Sequence, residues 1–421
     1  MDVVNALLNN PKLKAIFRIL ADTNCETRVV GGAVRDALSG VSPSEIDLAT
    51  IARPEVVMTT AINAGLKVIP TGLSHGTVTV IVDGTPFEVT TLRKDLETDG
   101  RYAKVEFGQS FEEDAQRRDF TINALSLSED GRLYDYTGGI SDLNAKRVRF
   151  IGEPEIRIKE DYLRILRFFR FTATYGEGLP DRNGLHYCIL SRHALSQLSH
   201  ERVKSELFKL LVSRRSSEIL RIMSESGITS TILGASYPLR LSRLNVIQKT
   251  LNEEPDPVLG LAAYTLKIEE DAERLRRRLR LSNKEYDHLF GMARVLIQMN
   301  GKKIPPSKED LLRLILCSSP KMVHDALMLC LAEGSQPEND SQCLEAIKDI
   351  KTMPIPFFQI SGGDLAARGV APGPKMGKLL KILRETWIEK GCPSDPDFLD
   401  KNLADALAAL EIAREAPVFP Q

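Results

Sequence analysis

Glu45 and Asp47 lie two residues apart in a strand-like run, where Ile46 to Thr50 reads as the strand. Side chains alternate along a strand, so this spacing turns both carboxylates to one face. Two adjacent hard oxygen donors suit Mg²⁺ bound to the phosphates of a nucleotide, the arrangement used in two-metal phosphoryl transfer. Taken alone, such a pair is most often a solvated surface feature. What precedes it favours a ligand set: Gly31-Gly32 lets backbone approach an anion, and Arg35 follows within the next helical turns. Glu88, on a later hairpin, is a candidate third acid, with an exposed strand glutamate as the alternative.

Two further sets carry chemistry. Arg117-Arg118-Asp119 precedes an apolar run. Arg118 can clamp phosphate in bidentate fashion, and Asp119 can accept from a ribose hydroxyl or cap a helix. Glu160-Asp161-Tyr-Leu-Arg164-Ile-Leu-Arg167-Phe-Phe-Arg170 reads as one helix from Arg157 to Phe171. Its three-residue spacing aligns Asp161, Arg164, Arg167 and Arg170. A carboxylate accepts from the exocyclic amine of C or A while a guanidinium donates to the adjacent ring nitrogen, a pattern that rejects G and U. An i,i+3 ion pair on a solvated helix is the alternative.

The elements that must position these residues divide at about residue 150. Before it, Thr27–Val30 and Ile46–Thr50 read as strands, and 77–82 and 85–90 form a hairpin around Asp83-Gly84. Residues 94–102 read as a polar loop. After Glu153-Pro154 the chain is helical, with Gly-Pro punctuation and no fixed repeat. The fold class is therefore α+β, a mixed-sheet domain followed by an all-helical remainder.

The 421 residues, 43% hydrophobic, suffice for several cores. Lys+Arg is 56 and Asp+Glu 57, so a net charge of −1 excludes gripping a polyanion through bulk charge and leaves only local basic patches. One such stretch, 271–280, holds five arginines against two acids; a tRNA contact and a solvated face are equally compatible with it. No apolar run reaches the roughly 18–20 residues of a membrane span, and the N-terminus lacks a signal-peptide layout. Six scattered cysteines without a C-x-x-C pair read as reduced thiols, so a cytoplasmic location is expected.

In their order, these segments resemble the class II tRNA nucleotidyltransferases (CCA-adding enzymes) and the related bacterial poly(A) polymerases. The resemblance rests on Val29-Val-Gly-Gly-Ala-Val-Arg-Asp36 with Glu45-Ile-Asp47, on Arg117-Arg-Asp-Phe-Thr-Ile-Asn-Ala124, and on Asp135-Tyr-Thr-Gly-Gly-Ile-Ser-Asp-Leu143. It extends to Glu160-Asp161-x-x-Arg164 and to Leu198-Ser-His-Glu-Arg202-Val-Lys-Ser-Glu206, covering about the first half of the chain. It implies a nucleotidyltransferase head of the DNA polymerase β type (1–150), a neck with the base-selecting helix (151–215), a body (216–330) and a tRNA-binding tail (331–421). It implies stepwise addition of C, C and A to a tRNA 3′ end from CTP and ATP, with pyrophosphate released. Poly(A) or partial addition is the alternative, as is a tRNA-binding homologue with impaired chemistry. The implied partners are tRNA, CTP and ATP, with neither a membrane nor a protein partner. Glu45 and Asp47 would hold two Mg²⁺ ions, and Gly32, Arg35, Arg118, Asp119, Asp161, Arg164, Arg167 and Arg170 would bind the nucleotide. One position departs from the family pattern: Glu45 stands where that family usually has Asp, which moves the carboxylate by roughly 1 Å.

Overall fold

The computed structural model describes residues 2–73, 76–99, 102–108 and 110–415. The chain forms two compact units, Met1–Pro238 with Arg278–Arg280, and Leu239–Arg277 with Leu281–Gln421.

The first unit opens with helices α1 (Asp2–Leu8) and α2 (Pro11–Ala21). Strand β1 (Thr27–Val30), helix α3 (Gly32–Leu38), strand β2 (Asp47–Thr50) and helix α4 (Pro54–Asn63) follow, then strands β3 (Lys67–Gly72), β4 (Thr77–Val82) and β5 (Thr85–Thr91). Strands β6 (Arg93–Asp99) and β7 (Tyr102–Phe107), helix α5 (Phe111–Gln116), strands β8 (Leu125–Leu127) and β9 (Leu133–Asp135) and helix α6 (Gly139–Asn144) complete the mixed region. Seven strands make one sheet in the order β3-β4-β5-β2-β1-β8-β9. Only the β2–β5 pairing is parallel, and its register sets Asp47 beside Glu88.

The β4–β5 hairpin forms as its sequence predicts. Asp83 and Gly84 both take positive φ, 45° and 76°, which suits the right-handed twist of the flanking strands. Leu13, Ile16 and Leu20 of α2 face Val29, Leu48, Val78, Val80, Phe87 and Val89 of the sheet, all essentially buried. At about 1.5–3 kcal/mol for each fully buried aliphatic or aromatic side chain, this layer is the main stabiliser of the sheet region.

The helical part of the first unit begins with α7 (Pro154–Glu160), α8 (Leu163–Tyr175), α9 (Arg182–Leu190) and α10 (His200–Leu211). Phe168 of α8 stacks on Phe150 at 5.4 Å, and Phe150 lies 4.8 Å from Phe120, so an aromatic chain ties α8 to the sheet region. Every regular element of the second unit's described residues is a helix. Trp387 is buried there, donating from its indole N–H to the Pro393 carbonyl and packing on Phe358.

The structure differs from three local expectations. The stretch read as a polar loop is the antiparallel ribbon β6–β7 wherever it is described, with Gly100 and Arg101 outside the described residues. Thr98, Tyr102, Val105 and Phe107 supply strand propensity that the charge-rich composition hides. Strand β2 starts at Asp47, leaving Glu45 in a bend before it. The single helix expected from Arg157 to Phe171 is two, because Asp161 is extended (φ −154°, ψ 108°). Its carboxylate accepts from the Leu163 N–H at 3.0 Å, the local bond by which Asp favours helix ends over helix interiors.

One glycine pair sets the path into α6. Asp135 accepts from the N–H groups of Thr137, Gly138, Gly139 and Ile140. A Cβ at Gly139 would stand 2.2 Å from the Thr121 carbonyl oxygen, whereas one at Gly138, in the left-handed region, meets nothing within 4 Å. Gly139→Ala should therefore lower the thermal midpoint by about 5–10 °C, the effect of overpacking against backbone. Gly138→Ala should cost only the left-handed strain of about 1–2 kcal/mol. Calorimetry of both variants checks this, and equal losses would contradict it.

Candidate active site

One cavity of about 510 Å³ lies in the first unit. Gly32, Arg35, Glu45, Asp47, Arg118, Asp119, Asp161, Arg164, Arg167 and Arg170 all line it. The structure thus gathers every residue proposed from the sequence except Glu88, which it sets beside Asp47 across the β2–β5 register. Gly31, Arg117, Asn123 and Phe171 complete the wall.

The glycine pair ends β1 and starts α3. Gly31 has φ +68°, and a Cβ there would stand 2.8 Å from an Nη of Arg118. The guanidinium thus packs close over the glycine, and the left-handed φ is what favours glycine there. Arg118 donates to the Asn123 carbonyl at 3.2 Å and to Asp114 at 3.1 and 3.2 Å. Arg117 donates to the other oxygen of Asp114. Burial pushes the Asp114 carboxyl up, but the charges of Arg118 and Arg117 outweigh burial and hold it below the usual range.

Arg35 is buried. It donates to the Asn123 side-chain oxygen at 2.5 Å and to Asp36 at 2.9 and 3.0 Å. Asp119 is also buried and bonded on both oxygens, one accepting from the Phe120 N–H and the Asn123 amide, the other from Arg167 at 2.6 Å. Burial raises its carboxyl, yet Arg167 and Asn123 leave it below the ordinary value. In this structure Asp119 holds Arg167 in place.

Arg164, Arg167 and Arg170 share one face of α8, as their spacing predicts. Arg164 donates to the Arg157 carbonyl at 2.8 Å and to Glu160 at 2.5 Å. Arg170 donates to Glu206 at 2.6 Å, and Arg167 lies 3.7 Å from the same carboxylate. Asp161, off the helix, accepts from Arg202 at 2.6 Å. The wall therefore presents six guanidinium groups (Arg35, Arg117, Arg118, Arg164, Arg167, Arg170) against four carboxylates (Glu45, Asp47, Asp119, Asp161). An excess of two positive charges in a cleft suits a polyanionic ligand of nucleotide size.

The acid pair behaves differently. Desolvation, then the negative charges of Glu88 and Glu45, hold the Asp47 carboxyl above its usual range, with Arg118 opposing them. Two like charges around a raised carboxyl are what a divalent cation would relieve, and all three groups are hard oxygen donors. Among the described residues no three His, Cys, Asp or Glu side chains converge closely enough to hold an ion alone. A cation here would draw its remaining oxygens from water and phosphate, as Mg²⁺ commonly does.

Sequence reasoning gave no role to the residues behind the wall. Asp114 braces two arginines, Glu206 braces two more, Arg202 orients Asp161, and Arg157 donates to the carbonyls of Arg117 and Arg118. Asp114 stands three and four residues before Arg117 and Arg118, and that spacing was the available signal for its brace.

A titration tests the Asp114 brace. Its folded pKa is depressed, so its contribution to stability is present above the unfolded value near 4 and is lost as pH falls through the lower folded value. Asp114→Asn should destabilise by about 2–4 kcal/mol at pH 7, since it removes the charge that holds two guanidinium groups, and the gap to the parent should narrow as pH falls below the unfolded value. Urea unfolding across that pH range measures it, and a gap independent of pH would contradict the assignment.

Comparison with known proteins extends this geometry. The Poly A polymerase head domain family matches residues 27–149. The mouse (Mus musculus) mitochondrial CCA tRNA nucleotidyltransferase 1 is 33% identical over 399 residues, spanning 92% of this chain and 88% of that protein. The CCA-adding enzyme of Leuconostoc citreum (strain KM20) is 31% identical over 406 residues, spanning 91% and 93%. The crystal structure of the Bacillus stearothermophilus CCA-adding enzyme in complex with CTP superposes with a TM-score of 0.73 at 24% identity, covering 96% of this chain and 98% of that one, a likeness of fold. Identity sustained over nearly the whole length of both chains, together with a head-domain match that spans the glycine pair, the acids and Arg117-Arg118-Asp119, shows that this chain belongs to the CCA tRNA nucleotidyltransferase family.

Proposed function

We propose that this chain adds C, C and A in turn to the 3′ end of tRNA, using CTP and ATP and releasing pyrophosphate without a nucleic-acid template. The observation that carries the reading is the single cavity in which an acid pair, a glycine-backed arginine cluster and the Asp161/α8 wall meet. The lining residues offer chemistry suited to a triphosphate, a metal and a base.

In this reading the arginines beside the glycine pair, Arg35 and Arg118, receive the triphosphate. The terminal tRNA hydroxyl attacks the α-phosphate in line, and positioning with charge stabilisation supplies most of the catalysis. Glu45 and Asp47, with Glu88 beside Asp47, would hold Mg²⁺, which supplies charge neutralisation on the phosphates when bound. Asp161 accepts from the amine of C or A, and Arg164 donates to the ring nitrogen. Arg202 and Glu160 support this by fixing those two side chains from behind. Glu45 lies in a bend ahead of β2, where backbone freedom can absorb its extra methylene. The proposed organisation is a catalytic head to about residue 150, a neck to about 215, a body to about 330 and a tRNA-binding tail beyond. No helix among the described residues is long and apolar enough to cross a membrane. The six free thiols suit a reducing compartment, and we propose the cytoplasm.

Offering labelled CTP and ATP, singly and then together, to tRNA lacking its last three nucleotides tests the reading. CTP alone should add two residues, and both together three. Asp47→Ala should abolish incorporation, Glu45→Asp should retain or raise it, and Asp161→Ala should admit UTP and GTP. Full activity of Asp47→Ala would overturn the metal assignment. Homopolymer growth from ATP alone would favour a poly(A) activity.

A further inference from the structure

Tyr175 ends α8 one turn beyond Phe171, outside the residues that line the cavity. Its hydroxyl donates to Asp36 of α3 at 2.7 Å. The same Asp36 oxygen accepts from Nε and Nη2 of Arg35. The guanidinium of Arg35 lies over the Tyr175 ring at 4.2 Å and over the Phe171 ring at 5.1 Å. Tyr175 therefore touches Arg35 twice, on its face through the ring and on its edge through Asp36. Arg167 and Arg170 lie over the other part of this aromatic surface, 5.2 and 3.9 Å from the Phe171 centroid.

Two walls of the cavity meet at this point. Helix α3 brings Gly32 and Arg35, whereas α8 brings Arg164, Arg167 and Arg170. A pocket that accepts C and A yet rejects U and G works by hydrogen-bond geometry, and such geometry survives only if the wall reading the base keeps its distance from the wall holding the phosphates. We propose that the Tyr175 hydroxyl and Asp36 form a latch between α3 and α8, making Tyr175 a positioning residue for nucleotide discrimination. This rests on the reading of the cavity as the nucleotide site. The latch needs the phenol to remain a donor. Burial holds it there, raising its pKa to about 12 against the pull of Arg35, with Asp36 reinforcing the shift. The latch is therefore closed across the neutral range and acts by geometry.

The test separates hydroxyl from ring. Tyr175→Phe keeps the surface under Arg35 and removes only the bond to Asp36, while Tyr175→Leu removes both. Equilibrium binding of CTP, with UTP as competitor, is measured on the parent and both variants, alongside thermal unfolding. Tyr175→Phe should keep its CTP affinity within about three-fold and lose about five-fold or more of the CTP-over-UTP preference, the effect of one hydrogen bond. Tyr175→Leu should also lose about ten-fold in CTP affinity. A Tyr175→Phe variant that discriminates as the parent does, or that loses CTP and UTP affinity in equal measure, overturns the latch. Equal affinity of the parent for CTP and UTP also overturns it. Failure of the parent to extend tRNA while it still binds CTP selectively would instead overturn the proposed reaction, and the binding ratios would still decide the latch.

Discussion

Six guanidinium groups crowd one cavity wall, and their mutual repulsion is the constraint on which the site depends. The chain meets it from behind. Asp114 takes Arg117 and Arg118, Asp119 takes Arg167, Glu206 takes Arg170 and stands near Arg167, and Asp36 takes Arg35. Asp114, Asp119 and Glu206 are each less than a tenth exposed, so these pairs are screened little by solvent and their geometry is fixed by packing. Breaking such a pair by removing one partner is costly, which makes the arrangement rigid. The cations are held apart and aimed before any ligand arrives, and preorganisation of this kind lowers the ordering cost of binding.

The acids around Asp47 follow the reverse logic. Around Asp47 the nearest charges named by its raised pKa are mostly of the same sign, and only Arg118 opposes them. The arginines are thus satisfied internally, whereas the acids around Asp47 keep a negative charge that a cation would neutralise. The parallel β2–β5 pairing creates that contrast by setting Glu88 beside Asp47, and the antiparallel β1–β2 pairing sets Asp47 opposite Val30, one residue before the glycine pair.

Much of this was legible in the chain. The β4–β5 turn was written in Asp83-Gly84, and the alignment of Arg164, Arg167 and Arg170 followed from a spacing of three. Periodicity failed at Asp161, because a capping bond from an aspartate competes with helix continuation and leaves no mark on a hydrophobic pattern. It failed again at β6–β7, where alternation is obscured by charge. The braces were the hardest part to see. Asp119–Arg167 spans 48 residues and Arg170–Glu206 spans 36, and no local rule links partners at such separations. A buried acid in a sequence looks like any other acid until the fold supplies its cation.

The most direct measurement is the CTP affinity of Glu206→Gln. The substitution keeps the size of the side chain, turns one of its two acceptor oxygens into an N–H donor and deletes one negative charge behind Arg167 and Arg170. If net charge governed the cavity, removing that carboxylate would tighten the hold on a triphosphate. If braced geometry governs it, CTP affinity should fall about ten-fold, the scale of one charged hydrogen bond, while the protein stays folded. Unchanged or tighter CTP binding by a folded Glu206→Gln variant would contradict the account.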